Sequence, residues 1–379
     1  MKKLRIALSG GGSGGHIYPL IAVAEELERV AIEKKLLMEI RYFGPADVYK
    51  EELEDAGIKV SPISSGKIRR YFSFLNFTDF IKGIFGFIQA LFKIFWFMPN
   101  VLFSKGGTGA FLVVLAARFY RIPVIIHESD AKPGLNNLIS APFSKRIAVS
   151  FEKAIDYFDP NKTACVGNPI RKSLLNDRQS PESAKERLGF DPKQPLVLFW
   201  GGSQGAKLLN DLVLSVLKDL MKETQILHQT GKANISEVKN LSEAALSQIK
   251  LEYVAKSRYL PTPYLNQNDL KLALTAADLV VARSGSNVFE ITAFSKPMIL
   301  IPISESANNH QYFNAYELEK AGASKVIEET NLLPGIFLRE IRETLKNKEL
   351  LQKMSLSSGK FFKPQAAEKV AEEIMMLSE

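Results

Sequence analysis

The chain has 379 residues, with 46% hydrophobic and 24% charged side chains and a formal net charge of +8. This length predicts two domains of ordinary size, and the composition excludes a disordered or low-complexity chain. The single cysteine, Cys165, excludes an intrachain disulfide and a thiolate metal cluster. The first apolar run meets glycines too early for a signal peptide, so we interpret it as a first strand.

Short apolar runs alternate with helical patterns along the chain, which is typical of βαβ units around a parallel sheet. The pattern stops at the polar stretch 176–194 and then starts again. We therefore predict two doubly wound α/β domains, at 1–167 and 168–363, with a C-terminal helix at 364–379 that packs back on the first. The predicted strands are Leu4–Leu8, Leu37–Phe43, Val101–Phe103, Val124–Ile126, Ile147–Val149, Leu196–Trp200, Gln225–Leu227, Leu251–Val254, Asp278–Ala282 and Met298–Ile301.

Each predicted domain opens with a strand and a glycine-rich turn, Gly10–Gly15 in the first and Gly201–Ala206 in the second. Glycine allows close backbone approach, and the free amides at a helix start attract anions, so each turn predicts a phosphate site. The spacing of the first turn matches neither a dinucleotide motif nor a P-loop. Because ligands bind beyond the carboxyl ends of parallel strands, we expect both turns to face one cleft. For the turn Gly10–Gly15, the alternative is a tight strand-to-helix connection that binds no ligand.

Two places supply candidate catalytic bases. His16 follows the first glycine turn, where an imidazole can take a proton from an attacking hydroxyl. Glu128 and Asp130 follow the apolar strand Val124–Ile126, at a strand end where sites collect. A histidine that only orients the loop is the alternative for His16. No pair of side chains has metal-ligand spacing, so we expect no metal or other cofactor, apart from a divalent ion that could accompany a diphosphate.

The second half carries polar side chains that suit a nucleotide and a sugar. Ser203 can hold phosphate oxygens together with backbone amides, and Glu290 can accept both hydroxyls of a ribose. Gln311 and Asn314 are three residues apart on one helix face, and their amides suit sugar hydroxyls. The alternatives are a plain surface acid at Glu290 and helix capping by the neighbouring asparagines.

The segment from Tyr71 to Phe103 contains ten of the chain's 24 phenylalanines. A helix over Ile81–Met98 would carry a narrow polar stripe and a wide apolar face, and its two lysines disfavour a membrane-spanning helix. We therefore expect the helix to lie at a membrane interface, although packing between the sheet and another helix is the alternative. The polar stripe comprises Lys82, Gly86, Gln89 and Lys93.

Basic charge is concentrated in the same part of the chain. From Ser64 to Lys105 there are six basic residues and one acid, Asp79, so more than half of the net charge lies there. Basic residues beside exposed aromatics attract anionic lipid headgroups, so we expect a membrane surface and not nucleic acid as the partner. The expected membrane contacts are Lys67, Arg69, Arg70, Phe85, Phe92 and Trp96.

Taken together, the turns and polar segments resemble the MurG family of N-acetylglucosaminyltransferases. The resemblance implies a GT-B fold and an inverting transfer from UDP-N-acetylglucosamine to the MurNAc 4-hydroxyl of lipid I, which forms lipid II in peptidoglycan synthesis. It also implies a peripheral enzyme at the cytoplasmic face of the bacterial cell membrane. The matching segments are Gly10–Pro19, Ser104–Gly107, His127-Glu128, Gly167–Arg171, Gly201–Ala206, Arg283–Glu290 and His310–Ala315.

The resemblance further implies roles for individual residues. Arg171 and Ser203 would contact the nucleotide or its diphosphate, and Leu265 the uracil. The full set of implied donor contacts is Ser13, Gly14, Gly15, Asp130, Arg171, Ser203, Leu265, Ser286, Glu290, Gln311 and Asn314. The implied acceptor diphosphate site comprises Gly11, Gly12, Ser104, Gly106 and Gly107.

The chain departs from the family's pattern at several positions. Asp130 stands where the family usually has asparagine, His310 where it usually has glutamine, and the turn before Glu290 is one residue shorter. These departures leave open a related GT-B transferase with another lipid acceptor or UDP-sugar. A UDP-N-acetylglucosamine 2-epimerase and a non-catalytic nucleotide-sugar-binding subunit are further alternatives, but an epimerase has no use for the aromatic segment.

Overall fold

The computed structural model describes residues 3–45, 49–65, 75–202, 205–247, 258–304 and 306–378. The chain divides into two compact units. The first unit comprises Met1–Lys172 together with Lys363–Glu379, and the second comprises Ser173–Phe362. Each unit is built around one parallel sheet, which confirms the predicted pair of Rossmann-like α/β domains.

In the described part of the first unit, seven parallel strands form one sheet. The strands are β1 (Leu4–Ser9), β2 (Met38–Gly44), β3 (Lys59–Pro62), β4 (Val101–Ser104), β5 (Val124–Glu128), β6 (Arg146–Val149) and β7 (Thr163–Cys165). Their order across the sheet is β3-β2-β1-β4-β5-β6-β7. The helices up to the unit boundary are α1 (Gly14–Glu33), α2 (Lys50–Asp55), α3 (Leu75–Phe97), α4 (Ala110–Phe119), α5 (Leu135–Ser140) and α6 (Lys172–Leu175).

Six strands form the sheet in the described part of the second unit. They are β8 (Leu196–Trp200), β9 (Gln225–Gln229), β10 (Tyr259–Thr262), β11 (Leu279–Ala282), β12 (Met298–Leu300) and β13 (Ser324–Val326), in the order β10-β9-β8-β11-β12-β13. The remaining helices are α7 (Pro181–Arg187), α8 (Lys207–Leu220), α9 (Ile235–Leu246), α10 (Gln267–Ala276), α11 (Val288–Ala293), α12 (His310–Lys320), α13 (Pro334–Lys346), α14 (Lys348–Phe361) and α15 (Ala366–Ser378). Helix α15 belongs to the first unit.

Helices cover both faces of the first sheet, and for this reason its central strands are mostly apolar. On one face, Ile6 and Leu8 of β1 pack in a cluster with residues of α1 and α15 such as Leu20 and Ile374. On the other face, Ala7 packs in a cluster with residues of α3 and α4. Alternate residues of β1 thus enter separate cores, as the period of a strand requires.

The strands that the sequence did not reveal are short and lie at the sheet edges. They are β3, β7, β10 and β13, with at most four residues each. An edge strand has a neighbour on one side only, so it needs few buried residues and leaves a weak apolar signal. The predicted strand Leu251–Val254 lies outside the described residues.

Helix α3 is amphipathic, and apart from the exposed Lys82 its polar stripe faces the protein. Its polar stripe packs against the chain after β3: the Ser64 amide donates to Gln89 Oε1 at 3.0 Å, and Lys93 Nζ donates to the Pro62 carbonyl. The outward face is apolar instead, with Phe85, Phe92 and Trp96 exposed to 56%, 64% and 80%. Among the described residues, no helix combines the length and the apolar composition that crossing a membrane requires.

Candidate active site

The first glycine turn joins β1 to α1 and presents a histidine in a defined orientation. Ser13 precedes α1 in an extended conformation, and its Oγ shares a hydrogen bond of 2.7 Å with Nδ1 of His16. The buried Tyr42 hydroxyl donates to the Gly10 carbonyl at 2.8 Å and fixes the start of the turn. The predicted donor contacts Gly14 and Gly15 lie in the first turn of α1.

Another glycine turn follows β4 and contains Gly106 and Gly107. It touches the turn that follows β1. A Cβ placed on Gly107, which has φ +85°, would lie 2.7 Å from the Gly11 backbone and 2.9 Å from Nε2 of His16. Only residues without side chains can pack this closely while the histidine stays in place. The structure therefore brings His16, Gly11 and Gly107 together beyond the ends of the neighbouring strands β1 and β4. Gly12 is exposed and Gly106 is buried in the same region.

Glu128 is buried at the end of β5, and its carboxylate organises the following loop. Oε1 accepts from the Asp130 amide at 2.8 Å, and Oε2 accepts from the Gly134 amide at 3.0 Å and from Asn137 Nδ2 at 2.9 Å. Burial, with a contribution from Asp130, raises the pKa of Glu128. With both oxygens engaged and 3% of its surface exposed, Glu128 holds the loop in this structure. Its predicted role as a base stays a prediction.

The predicted basic surface needs one correction. Lys105 is among the six basic residues from which the sequence predicts this surface. Only 1% of this side chain is exposed, so it is not at the surface. Ser104, a predicted acceptor contact, is equally buried, and its Oγ accepts from the Gly106 amide at 3.3 Å. Lys67, Arg69 and Arg70 lie outside the described residues.

Arg171, expected at the nucleotide, packs within the first unit. Its guanidinium lies 4.1 Å from the centre of the Tyr18 ring on α1, and 8% of the residue is exposed. Tyr18 in turn meets Tyr49 edge to face. The aromatic stack determines the direction of the guanidinium in this structure.

In the second unit, the turn between β8 and α8 is shaped by left-handed glycines. Gly202 and Gly205 have φ of +83° and +77°, and a Cβ on Gly205 would collide with the Thr230 carbonyl. Ser203 lies outside the described residues. Behind the turn, His228 is fully buried between Asn210 and Tyr259, at 3.0 Å from each. Burial lowers the pKa of His228 to about 3, so this network is neutral.

A second turn in this unit, between β11 and α11, is held by an ion pair. Arg283 is buried, and its Nη1 lies 2.7 Å from Glu329 Oε1 and 2.9 Å from the Ile301 carbonyl. Glu290 and Ser286 are both partly exposed near the start of α11. Because α11 has only six residues, its helix dipole is small, and any anion at its start would be bound mainly by individual backbone amides.

The two amides predicted at the sugar have different environments. Gln311 is partly exposed, and its Oε1 accepts from the Ile303 amide at 3.2 Å. Asn314 has no exposed surface, and its Nδ2 donates to the Ser284 carbonyl at 3.0 Å. Asn314 therefore supports the Arg283–Glu290 turn in this structure, whereas Gln311 keeps part of its side chain exposed. Leu265 is 8% exposed.

Comparison with protein families matches both units. The description "Glycosyltransferase family 28 N-terminal domain" matches residues 6–149, and "Glycosyltransferase family 28 C-terminal domain" matches residues 196–370. A curated relative from Clostridium tetani is 37% identical over 364 residues, which cover 95% of either chain. It is named UDP-N-acetylglucosamine--N-acetylmuramyl-(pentapeptide) pyrophosphoryl-undecaprenol N-acetylglucosamine transferase.

Solved structures show the same fold. MurG from Acinetobacter baumannii superimposes with a TM-score of 0.72 at 23% identity, covering 98% of this chain and 99% of that one. A protein from Listeria monocytogenes described as a UDP-N-acetylglucosamine 2-epimerase has a TM-score of 0.69 at 16% identity, covering 99% and 97%. At these identities the likeness concerns the fold alone, and it is shared by enzymes of both kinds.

Proposed function

Because the chain belongs to glycosyltransferase family 28, and within it to the MurG family, we propose how its described residues carry out the family's reaction. The fold is GT-B, and the protein is an inverting N-acetylglucosaminyltransferase. It moves N-acetylglucosamine from UDP-N-acetylglucosamine to the MurNAc 4-hydroxyl of lipid I and forms lipid II for peptidoglycan synthesis.

The donor is assigned to the second unit. The turn after β8, which contains the left-handed Gly202, is the proposed site of the diphosphate, with backbone amides and Ser203 as the proposed contacts. Glu290 accepts the ribose hydroxyls, Ser286 lies near them, and Gln311 holds the N-acetylglucosamine. The buried Arg283–Glu329 pair and Asn314 support this arrangement by fixing the turn before Glu290. Leu265 at the uracil completes the proposed contacts within this unit.

The acceptor and the base are assigned to the first unit. The proposed diphosphate site of the lipid-linked acceptor consists of the turns that contain Gly11, Gly12 and Gly107, whose backbone amides would bind it. Gly106 lies in the same turn as Gly107, and its amide donates to Ser104 Oγ. His16 is the proposed base, since Ser13 occupies Nδ1 and leaves Nε2 on the side of Gly107. Ser13 with Gly14 and Gly15 would also contact the donor sugar.

The reaction then proceeds in one displacement. The acceptor oxygen bonds to C1 of N-acetylglucosamine on the face opposite UDP, and the C1–oxygen bond to UDP breaks with its electron pair leaving on the diphosphate. Nε2 of His16 takes the hydroxyl proton. The observation that carries this proposal is the hydrogen bond between Ser13 and His16 at the contact of the two glycine turns.

The transfer is tested with purified protein, a lipid I analogue and a panel of UDP-sugars. We expect product from UDP-N-acetylglucosamine, and the absence of product with this donor would overturn the proposed function. His16→Ala should lower kcat by about 10²- to 10⁴-fold, the usual contribution of a general base. Ser13→Ala removes the hydrogen bond to Nδ1 of His16 and should have a smaller effect on kcat. A folded His16→Ala protein with wild-type kcat would exclude His16 as the base.

We also propose that the apolar face of α3 binds the cytoplasmic face of the cell membrane. Phe85, Phe92 and Trp96 present large exposed rings, and Phe119 nearby is exposed to 70%. Burying one such ring contributes about 1.5–3 kcal/mol, so several rings suffice for peripheral attachment. The basic residues Lys67, Arg69 and Arg70 would add attraction to anionic headgroups.

Vesicle flotation tests this attachment. Phe92→Ser with Trp96→Ser should weaken binding to anionic vesicles by more than about tenfold, because two large apolar side chains no longer insert. The matched control replaces two leucines of similar exposure in the second unit, Leu333→Ser with Leu356→Ser. Equal binding by the two double variants would exclude α3 as the membrane surface.

A further inference from the structure

Glu329 uses its two carboxylate oxygens on two different segments of the second unit. Oε1 lies 2.7 Å from Arg283 Nη1, in the turn before Glu290. Oε2 accepts from the Ser304 amide at 2.9 Å and from Ser304 Oγ at 2.5 Å, in the loop after β12. Burial acts to raise the pKa of Glu329, but the Ser304 bonds and the Arg283 charge outweigh it and lower the pKa. The side chain is therefore an ionised acceptor that joins the two segments.

The loop after β12 lies at the surface and depends on this carboxylate. Ile303 and Ser304 are both exposed, and Pro302 has no amide to donate. Within the described residues, the amide and the hydroxyl of Ser304 hydrogen-bond to Glu329 alone. A surface segment with few buried contacts is held in place mainly by its hydrogen bonds. Glu329 therefore determines where this loop lies.

Ile303, the residue before Ser304, orients the side chain of Gln311. Its amide donates to Gln311 Oε1 at 3.2 Å, and the Gln311 carbonyl accepts from Ser284 Oγ at 2.7 Å. A backbone amide can only donate, so the carboxamide must turn its oxygen toward Ile303 and its nitrogen away. In the described part of the chain, no group accepts from Nε2, and the side chain is partly exposed. Nε2 is thus available to a ligand.

The available group indicates the chemistry of that ligand. A carboxamide nitrogen donates two hydrogen bonds and carries no charge, so it suits a hydroxyl or carbonyl oxygen, whereas a phosphate is bound more strongly by a charged donor. N-acetylglucosamine offers such oxygens in its hydroxyls and in its acetamido carbonyl.

We propose that Glu329 is a positioning residue for recognition of the donor sugar. By holding Ser304, it keeps the Ile303 amide on Gln311 Oε1, and Gln311 Nε2 then donates to a hydroxyl or acetamido oxygen of N-acetylglucosamine. The inference rests on the proposed function, which places the sugar at Gln311. It extends that function to a residue that does not touch the substrate.

Calorimetric titration of the full-length protein with UDP and with UDP-N-acetylglucosamine tests this role. Glu329→Gln keeps an acceptor for Arg283 in its amide oxygen, but its amide nitrogen cannot accept from the Ser304 amide. The Kd for UDP-N-acetylglucosamine should rise about 3- to 10-fold, the net contribution of one hydrogen bond. The Kd for UDP, which lacks the N-acetylglucosamine, should not change. A role that acts only through Arg283 and the ribose would weaken both ligands equally.

The matched control is Glu340→Gln. Glu340 is also a partly exposed carboxylate of the second unit, and it is paired with Lys325 of β13 at 3.0 Å. This change removes an ion pair without touching the loop after β12, so both Kd values should stay at the wild-type level.

A double variant separates positioning of Gln311 from a general loss of order. In Gln311→Ala the sugar contact is absent, so adding Glu329→Gln should change the Kd for UDP-N-acetylglucosamine by less than about twofold. Ser304→Ala removes only the hydroxyl bond to Glu329, at an exposed position, and should raise the same Kd about two- to threefold. This variant carries the test if Glu329→Gln does not fold.

Three results would overturn the inference. They are an unchanged Kd for UDP-N-acetylglucosamine in folded Glu329→Gln, an equal rise for UDP, and a full further loss in the Gln311→Ala background. If only Ser304→Ala folds, its unchanged Kd has the same meaning. The wild type is titrated first. Absence of UDP-N-acetylglucosamine binding overturns the proposed function itself, whereas wild-type binding that the variants do not alter overturns this inference alone.

Discussion

The carboxyl ends of the two sheets bury polar groups in different ways. In the first unit, Lys105, His127 and Glu128 lie together, and the lysine has carboxylates nearby but no hydrogen-bond partner within the described residues. In the second unit, both ring nitrogens of His228 have neutral partners, and Arg283 is paired with Glu329 at 2.7 Å. One sheet edge holds ionisable groups that interact without a direct ion pair to the lysine, and the other holds a neutral hydrogen-bonded histidine and an ion pair.

This difference matches the proposed division of labour, with the proton transfer in the first unit and the binding of the donor in the second. Satisfied pairs fix the shape of a pocket at little electrostatic cost, which suits recognition of a nucleotide sugar. Interacting ionisable groups shift each other's proton affinity, which suits a step that moves a proton. We therefore expect substitutions at the first edge to change kcat, and those at the second to change stability or the KM for the donor.

The largest effect should come from filling the contact between the two glycine turns. Gly107→Ala and Gly202→Ala both place a side chain at positive φ, which costs about 1–2 kcal/mol. Only Gly107 also meets atoms at 2.7–2.9 Å, whereas no described atom lies within 4 Å of a Cβ on Gly202. Because a displacement of about 1 Å can cost 100-fold in rate, Gly107→Ala should lower kcat by at least about that factor.

Steady-state kinetics on the two folded alanine variants check this expectation. Gly202→Ala should retain kcat within a few-fold, and its effects should be limited to stability in thermal unfolding and to the KM for the donor. Similar kcat values for the two variants would show that the contact of Gly107 with His16 has no catalytic consequence.

The second effect is a pH dependence of stability in the second unit. The pKa of His228 is lowered to about 3 from an ordinary value near 6.5, so the folded state excludes a proton that the unfolded state binds. Stability is complete above pH 6.5 and falls as the pH drops toward 3, by up to about 1.4 kcal/mol per pH unit. His228→Gln, which does not titrate, should lose this slope.

The two tryptophans allow the unit to be measured separately. Trp200 lies on β8 in the second unit and is 6% exposed, whereas Trp96 lies on the exposed face of α3. Trp96→Phe therefore leaves fluorescence that reports on the second unit alone. Urea unfolding of this protein between pH 4 and 7, with and without His228→Gln, gives the slope, and equal slopes would contradict the neutral network.

Much of the fold could be predicted from the sequence, since central strands covered on both faces must be apolar. The glycine turns and the aromatic helix could also be predicted from the sequence. The burial of Lys105 could not be predicted, because charge counting treats a lysine in a basic segment as a surface residue, whereas 1% of this side chain is exposed. The hydrogen bonds of Glu128 were hidden in the same way: spacing places a carboxylate at a strand end but does not show that three donors engage it.

The smallest effect is expected at Asn314, where the sequence predicted a sugar contact and the structure shows a buried support. Asn314→Ala leaves the Ser284 carbonyl without its donor, which should cost about 1–3 kcal/mol of stability. The KM for UDP-N-acetylglucosamine should change little, because the side chain has no exposed surface. Gln311→Ala is the comparison: its partly exposed amide is the proposed sugar contact, so this variant should raise the KM with little loss of stability. A larger rise in KM for Asn314→Ala than for Gln311→Ala would restore Asn314 as a direct contact and remove the contrast between supporting and binding groups in the second unit.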